Sequence, residues 1–127
     1  WVMGGPKDAE AGAVITERLE HAHNLCGKTR LADAVDLLAA CKQVVTNDSG
    51  LMHVAAAVGT RIQALYGSSS PIYTPPLTDN AYIHYLGLSC SPCFERTCPL
   101  EHRNCLKQMV PDRIEQAIQG SPIDGCR

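Results

Sequence analysis

The sequence predicts an α/β fold built around a Rossmann-like parallel sheet. Short apolar segments of strand length alternate along the chain with amphipathic segments of helix length. Such alternation implies right-handed crossovers between parallel strands. Small polar residues follow two of the predicted strands, at positions 47–50 and 67–70, and ligands of these sheets bind beyond the carboxyl ends of the strands. The sequence therefore predicts one parallel sheet with a ligand site along that edge.

Each element follows from a local pattern. Ala11, Ile15 and Leu19, spaced four apart, predict the apolar face of the first helix, and Thr29 is predicted to cap the second. Pro111, at the favoured first position, opens the last helix. The predicted strands are residues 1–3, 24–26, 43–46, 61–66 and 81–86, with 81–86 at the sheet edge. The predicted helices are about 8–22, 30–41, 50–58 and 111–118.

Composition excludes several classes of protein. The chain has 127 residues, of which 45% are hydrophobic, and this is enough apolar content to bury a core. Its formal net charge of −2 provides no basic surface, so nucleic acid is not expected as a partner. There is no apolar run of transmembrane length, so the chain is not expected to be transmembrane. It opens on what reads as the end of a strand, which indicates a piece of a longer protein.

The most informative segment is Thr46-Asn47-Asp48-Ser49-Gly50-Leu51-Met52-His53. It joins a predicted strand to an alanine-rich helix with almost no loop, which presents free backbone N–H groups and the positive end of the helix dipole at the sheet edge. This arrangement suits a phosphate or diphosphate. Asp48, Ser49 and His53 add a carboxylate, a hydroxyl and an imidazole. The structural alternative is that Asp48 or Ser49 only caps the helix.

The same motif identifies a family resemblance. Gly27-Lys28-Thr29, the run from Val44 to Ala57, and Ala64-Leu65-Tyr66-Gly67 with Ser69-Ser70-Pro71 resemble the ADP-heptose:lipopolysaccharide heptosyltransferases. The Asn-Asp-Ser-Gly-Leu-Met-His form and Thr74-Pro75-Pro76-Leu77 are most similar to the type II branch. The resemblance implies the GT-B architecture of two Rossmann-like domains facing a cleft. This chain resembles the C-terminal, donor-binding half.

The resemblance also implies the reaction, which is inverting transfer of L-glycero-D-manno-heptose from ADP-heptose to the inner-core heptose of lipopolysaccharide. Asp48 matches the aspartate that holds donor-sugar hydroxyls. Ser49, Gly50 and Leu51 match the turn whose N–H groups meet the diphosphate, and His53 matches the histidine beside phosphate and sugar. Thr29 and Leu31 fall where the family lines the adenine pocket, and Asp8 lies near the position of an acidic ribose contact. No cofactor is required by this chemistry.

Residues 1–127 are accordingly expected to form a partial C-terminal domain. The family's catalytic aspartate belongs to the N-terminal domain, and the first strand–helix unit of the C-terminal domain carries a lysine aimed at the phosphates. Neither is present here, so the chain alone is expected to be inactive. The resemblance implies a cytoplasmic location at the inner face of the bacterial inner membrane, where the lipopolysaccharide acceptor is found.

A cysteine-rich loop, residues 87–107, is a separate feature, hereafter the cysteine loop. Cys90, Cys93, Cys98 and Cys105 lie within sixteen positions of one another, with His102 among them. Thiolates and imidazole are the ligands of structural zinc, but C-x2-C-x4-C-x6-C is irregular for a zinc ribbon. Without a signal-peptide pattern, the seven cysteines predict reduced cytosolic thiols. A structural zinc site, free thiols and a disulfide remain open.

Two other functions remain open beside heptose transfer. A related glycosyltransferase with another nucleotide sugar is the first, because the phosphate-binding turn is less specific than the sugar contacts. A non-catalytic, metal-stabilised interaction module is the second, with the Asp-Ser-Gly turn acting as a helix cap.

Overall fold

The structure is a computed structural model and describes residues 1–120. The chain divides into two compact units, Trp1–Leu37 and the part from Leu38 onward. The helices are α1 (Ala9–Thr16), α2 (Leu31–Ala40), α3 (Gly50–Ala57), α4 (Asn104–Lys107) and α5 (Pro111–Ile118); the strands are β1 (Gln43–Asn47), β2 (Arg61–Tyr66) and β3 (Ala81–Tyr85). No helix among these residues is both long and apolar enough to cross a membrane.

The first unit holds α1 and a parallel bridge. Val2 and Asn24 pair in parallel, and the Val2 N–H donates to the His23 carbonyl at 2.9 Å. The prediction of strands at residues 1–3 and 24–26 is therefore wrong, because these segments form a single isolated bridge and no strand. The Asn24 side chain donates to the Ala9 carbonyl at 2.9 Å and lies against Gly12, where an added Cβ would come within 2.5 Å of Asn24 Oδ1. A side chain at position 12 would displace Asn24 Oδ1, which also accepts from the Cys26 N–H at 3.0 Å.

Two details of the first unit differ from the sequence prediction. The first helix ends at Thr16 instead of Ala22, because the chain must turn back to pair beside Val2. Ile15 and Leu19 are exposed, and the buried helix residue is Gly12. The prediction that Thr29 caps the second helix is also wrong. Helix α2 begins at Leu31, and the Asp33 carboxylate accepts from the N–H of Arg30, the residue just before the helix, at 2.9 Å.

The second unit contains the predicted parallel sheet. Strand order is β1-β2-β3 with both pairs parallel, and β3 lies at the edge as predicted. Tyr66 of β2 contacts Met52 of α3, whereas Gln63 donates to the Ala117 carbonyl of α5 at 3.3 Å. Because alternate residues of a strand point to opposite faces, α3 and α5 cover opposite faces of β2. The sheet thus has the layered arrangement of Rossmann-like folds.

The central strand carries the core of this unit. Ile62, Ala64 and Tyr66 are fully buried, as are Met52 of α3 and Ala117 of α5. Gln63 is the polar exception, and it is hydrogen-bonded on both sides, to α5 and to His84 of β3 at 2.8 Å. A buried amide without such partners would destabilise the fold, so this pair aligns β3 and α5 with β2.

Candidate functional site

The turn between β1 and α3 consists of only Asp48 and Ser49. Ser49 is the N-cap residue, with extended backbone (φ −154°), and its side chain makes no capping hydrogen bond. Its hydroxyl lies 3.4 Å from Thr46 Oγ1 instead. The first N–H groups of α3 are therefore not capped by Ser49, and they can donate to an anion.

Space for such an anion exists beside the helix start. An added Cβ on Gly50 would meet no atom within 4 Å, and Gly50 does not have a positive φ. Neither packing nor backbone conformation requires glycine there. A ligand that approaches the backbone closely would require it, because any side chain would occupy the same space.

Asp48 is held by a side chain from a distant loop. Thr74 Oγ1 donates to Asp48 Oδ2 at 2.7 Å, and the Tyr66 hydroxyl donates to the Thr74 carbonyl at 2.6 Å. Tyr66 is itself fully buried at the end of β2. The two hydrogen bonds connect the core of the sheet to the Asp48 carboxylate. Ser49, and not Asp48, occupies the N-cap position of α3.

The surroundings of the Tyr66 hydroxyl favour its neutral form. Burial, with the nearby Asp48 carboxylate as a second cause, raises the pKa of Tyr66 to about 12. The hydroxyl therefore keeps its proton at neutral pH and acts as a donor. The Thr74 carbonyl oxygen can only accept, which agrees with the tyrosine hydroxyl as the donor.

Parallel pairing places both polar loops at one edge of the sheet. Asn47 is the register partner of Leu65, so the turn after β1 and the loop after β2 leave the sheet side by side. Ser70 is buried and accepts from the Ile72 N–H at 3.2 Å, so it shapes its own loop. His53 is exposed on the first turn of α3, and Leu51 is half-buried. The Asp48 turn, defined as residues 46–53, therefore has its predicted position.

The other three predicted ligand residues belong to the first unit. The Asp8 carboxylate accepts from the Gly5 N–H at 2.8 Å, which stabilises the turn before α1. Leu31, at the start of α2, is 70% exposed, so it contributes little to a core and is available to a ligand. Thr29 is half-buried. Their roles in adenine and ribose binding remain predictions.

The cysteine loop forms a cavity of about 360 Å³ at the end of β2. Cys90, Cys93, Cys98 and Cys105 all line it, and all four are free thiols. Among residues 1–120, no three His, Cys, Asp or Glu side chains come together in a way that could hold a metal ion. The structure thus does not bring the four sulfurs to one centre, and the zinc hypothesis stays a prediction.

Sequence reasoning missed Thr74 as a partner of Asp48. The two residues are 26 positions apart, and neither periodicity nor spacing connects them. In the sequence, Thr74 stands out only as part of the Thr-Pro-Pro-Leu motif. A threonine before two prolines, in a loop that leaves the same sheet edge, was the available signal.

Comparison with known proteins places this geometry in a family. Residues 1–104 match the model of glycosyltransferase family 9 (heptosyltransferase). The lipooligosaccharide heptosyltransferase 2 of Haemophilus influenzae is 54% identical over 87 residues, which are 65% of this chain and 25% of that protein. That of Campylobacter jejuni is 37% identical over 106 residues, 82% of this chain and 33% of that protein.

Two solved structures that resemble this chain are also glycosyltransferases. The ADP-heptose lipopolysaccharide heptosyltransferase II of E. coli has a TM-score of 0.63 and 40% identity, over 91% of this chain and 36% of that one. A family 9 glycosyltransferase from Veillonella parvula has a TM-score of 0.75 and 26% identity, over 93% of this chain and 34% of that one. The chain thus spans a quarter to about a third of the length of these relatives. The family match and the shared parallel sheet lead to one conclusion: the chain belongs to glycosyltransferase family 9, the heptosyltransferases.

Proposed function

We propose that this chain is the donor-binding part of an inverting heptosyltransferase. It binds ADP-L-glycero-D-manno-heptose, and the whole enzyme transfers the heptose to the inner-core heptose of lipopolysaccharide at the cytoplasmic face of the inner membrane. The observation that carries the proposal is the start of α3, which Ser49 leaves uncapped and which Asp48 and His53 flank. The names of the relatives support heptose as the sugar and lipopolysaccharide as the acceptor.

The diphosphate binds where the backbone offers N–H donors. Gly50 and Leu51 lie in the first turn of α3, where backbone N–H groups have no partner within the helix, and an added Cβ on Gly50 would meet no atom within 4 Å. The helix dipole adds a positive potential worth about 0.3–1 kcal/mol for an anion at an exposed site. Both interactions strengthen as the leaving ADP gains negative charge, so they stabilise the transition state more than the ground state.

Asp48 serves the sugar and not the phosphates. A carboxylate next to a diphosphate is repelled, whereas sugar hydroxyls donate to it in charge-assisted hydrogen bonds. One of its oxygens already accepts from Thr74, which fixes the orientation of the other toward the sugar. His53, exposed on the first turn, donates to the phosphate or to a sugar hydroxyl.

The bond changes follow from inversion at the anomeric carbon. An acceptor hydroxyl oxygen attacks that carbon, the bond to the β-phosphate oxygen breaks, and ADP leaves with the electron pair. The acceptor proton goes to a base, which the family resemblance assigns to the N-terminal domain. This chain therefore contributes donor binding and leaving-group stabilisation, and no base.

Calorimetry with the full-length protein tests the proposal. ADP and ADP-heptose should bind, ADP-heptose should bind more tightly, and UDP-sugars should bind at least about tenfold more weakly because the adenine contacts are lost. Asp48→Ala should weaken the binding of ADP-heptose more than that of ADP. Its matched control is Asp79→Ala, at an exposed carboxylate just before β3 on the opposite sheet edge, which should change neither. Equal binding of UDP-sugars would favour the related glycosyltransferase, and absence of nucleotide binding would favour the interaction module.

A further inference from the structure

The thiols that line the cavity of the cysteine loop have no part in the proposed donor binding. Four free thiols line one space of about 360 Å³. A water molecule takes about 30 Å³ of liquid volume, so the cavity has room for several small polar molecules. Arg96, Arg103 and Glu95 also line it, so its charged lining residues carry a net positive charge.

Cys98 opens a backbone turn in which the Glu101 N–H donates to the Cys98 carbonyl at 3.1 Å. Backbone N–H groups, that of Arg103 foremost and those of residues 100–102 with it, lower the pKa of the Cys98 thiol. Glu101 and Arg103 have positive φ values of 56° and 53°, which wrap residues 98–103 into a tight turn. A lowered pKa increases the fraction of thiolate at neutral pH, and the thiolate is the nucleophilic form.

We propose that this cavity is a thiol modification site for small hydroperoxides, with Cys98 as the nucleophile and a second thiol of the same cavity as the resolving residue. The other candidate sulfurs are those of Cys90, Cys93 and Cys105, which line the cavity with Cys98. The site is independent of the proposed donor binding, which uses other residues.

The chemistry balances in two steps with a hydroperoxide as the oxidant. The Cys98 thiolate sulfur attacks the terminal O–H oxygen of the hydroperoxide ROOH, an S–O bond forms, the O–O bond breaks, and RO⁻ leaves and takes up a proton. Cys98 is thereby oxidised to a sulfenic acid, and the hydroperoxide is reduced to the alcohol ROH, or to water where the oxidant is hydrogen peroxide. The resolving thiol then attacks the sulfenic sulfur, an S–S bond forms, and the S–O bond breaks with loss of water.

Part of the loop can supply the movement that a disulfide requires. Bonded cysteines need Cβ atoms about 3.5–4.5 Å apart, and no sulfurs are bonded within residues 1–120. Residues 87–103 contain no helix or strand. The loop is attached to the sheet by Phe94, whose N–H donates to the Ser68 carbonyl at 2.7 Å, and by Ser91, whose hydroxyl donates to the Gly67 carbonyl.

The first experiment needs no variant. Full-length, reduced protein is alkylated with iodoacetamide at pH 7, and each cysteine is followed by peptide mass spectrometry. Cys98 should react at least about tenfold faster than Cys41, a half-buried thiol outside the cavity that serves as reference. Comparable rates at the two positions would overturn the proposal.

The second experiment follows oxidation. Hydrogen peroxide with dimedone should label Cys98; without dimedone, peroxide should produce a disulfide from Cys98 to Cys90, Cys93 or Cys105 that dithiothreitol reverses. Cys98→Ser should lose both products, and Cys41→Ser should retain both. Unchanged products in Cys98→Ser would contradict the proposal. So would stoichiometric zinc in the purified reduced protein, because the thiols would then be metal ligands.

Discussion

The Asp48 turn and the cysteine loop leave the same sheet but are ordered by different means. Only Asp48 and Ser49 of this turn lie outside β1 and α3, so the backbone geometry of those elements fixes its position. The loop has one short helix, α4, in twenty-one positions, and it is attached to the sheet through contacts of Ser91, Phe94 and Leu106 with residues 67–68.

This difference explains which chemistry each region supports. Groups fixed by short, regular elements stay in place while a ligand binds, as preorganised transition-state stabilisation requires. A loop held by a few contacts can rearrange, as disulfide formation requires. The proposed donor binding therefore suits the Asp48 turn, and the proposed thiol chemistry suits the cysteine loop.

The largest expected effect is that of Asp48→Ala in the full-length enzyme. Loss of charge-assisted hydrogen bonds to the sugar should lower kcat/KM for heptose transfer by about 2–3 kcal/mol, or roughly 30- to 150-fold. ADP affinity should change little, because the N–H donors of α3 remain. The rate at which ADP is released during the reaction measures kcat/KM, and calorimetric titration with ADP measures ADP affinity. Unchanged transfer would assign Asp48 a purely structural role through its bond to Thr74.

A pair of glycine substitutions compares the two regions directly. At Gly50 an added methyl meets open space, so Gly50→Ala should preserve thermal stability and weaken ADP binding by about 1–2 kcal/mol, through intrusion on the phosphates. At Gly67 the methyl would lie 2.9 Å from side-chain atoms of Leu106, so Gly67→Ala should displace the cysteine loop.

The readouts of the two variants should be opposite. Gly67→Ala should raise the alkylation rates of the cavity thiols and leave ADP affinity within about twofold. Gly50→Ala should weaken ADP binding and leave the alkylation rates unchanged. Equal loss of ADP binding in both variants would show that the two regions form one site.

Thr74→Val should have an intermediate effect. The substitution keeps the shape but removes the hydroxyl that donates to Asp48 at 2.7 Å. Loss of a bond to a charged group is worth about 1–2 kcal/mol, and at this exposed pair the effect should be nearer the lower value. It should appear in kcat for heptose transfer more than in ADP affinity. Thr74→Ser restores the hydroxyl and should recover activity; a serine variant as impaired as valine would contradict a role for this bond.

The sequence pattern predicted the features that depend on residues close together in the chain. The parallel sheet, its edge strand β3 and the Asp48 turn follow from alternation and turn chemistry, and the structure has them. The bond between Thr74 and Asp48 and the cavity of the cysteine loop depend on contacts between distant positions, which one sequence does not reveal. The first helix was too long in the prediction for the same reason, because pairing of Val2 with Asn24 overrides helix periodicity.

The smallest expected effect concerns the sheet beneath both regions. His84 is buried on β3 and bonds Gln63 at 2.8 Å, and burial lowers the pKa of its imidazole. The unfolded chain therefore binds a proton at higher pH than the folded chain, so stability should fall as pH drops below about 6.5.

Between pH 7 and pH 6 one such group costs at most about 0.7 kcal/mol of unfolding free energy by proton linkage. Chemical denaturation of the full-length protein at the two pH values measures this difference. His84→Gln does not titrate and should lose that part of the pH dependence, whereas His23→Gln, at an exposed position, should retain it. If both variants kept the full slope, acid sensitivity would arise elsewhere, and the His84–Gln63 bond would not report on the stability of the sheet that carries the Asp48 turn.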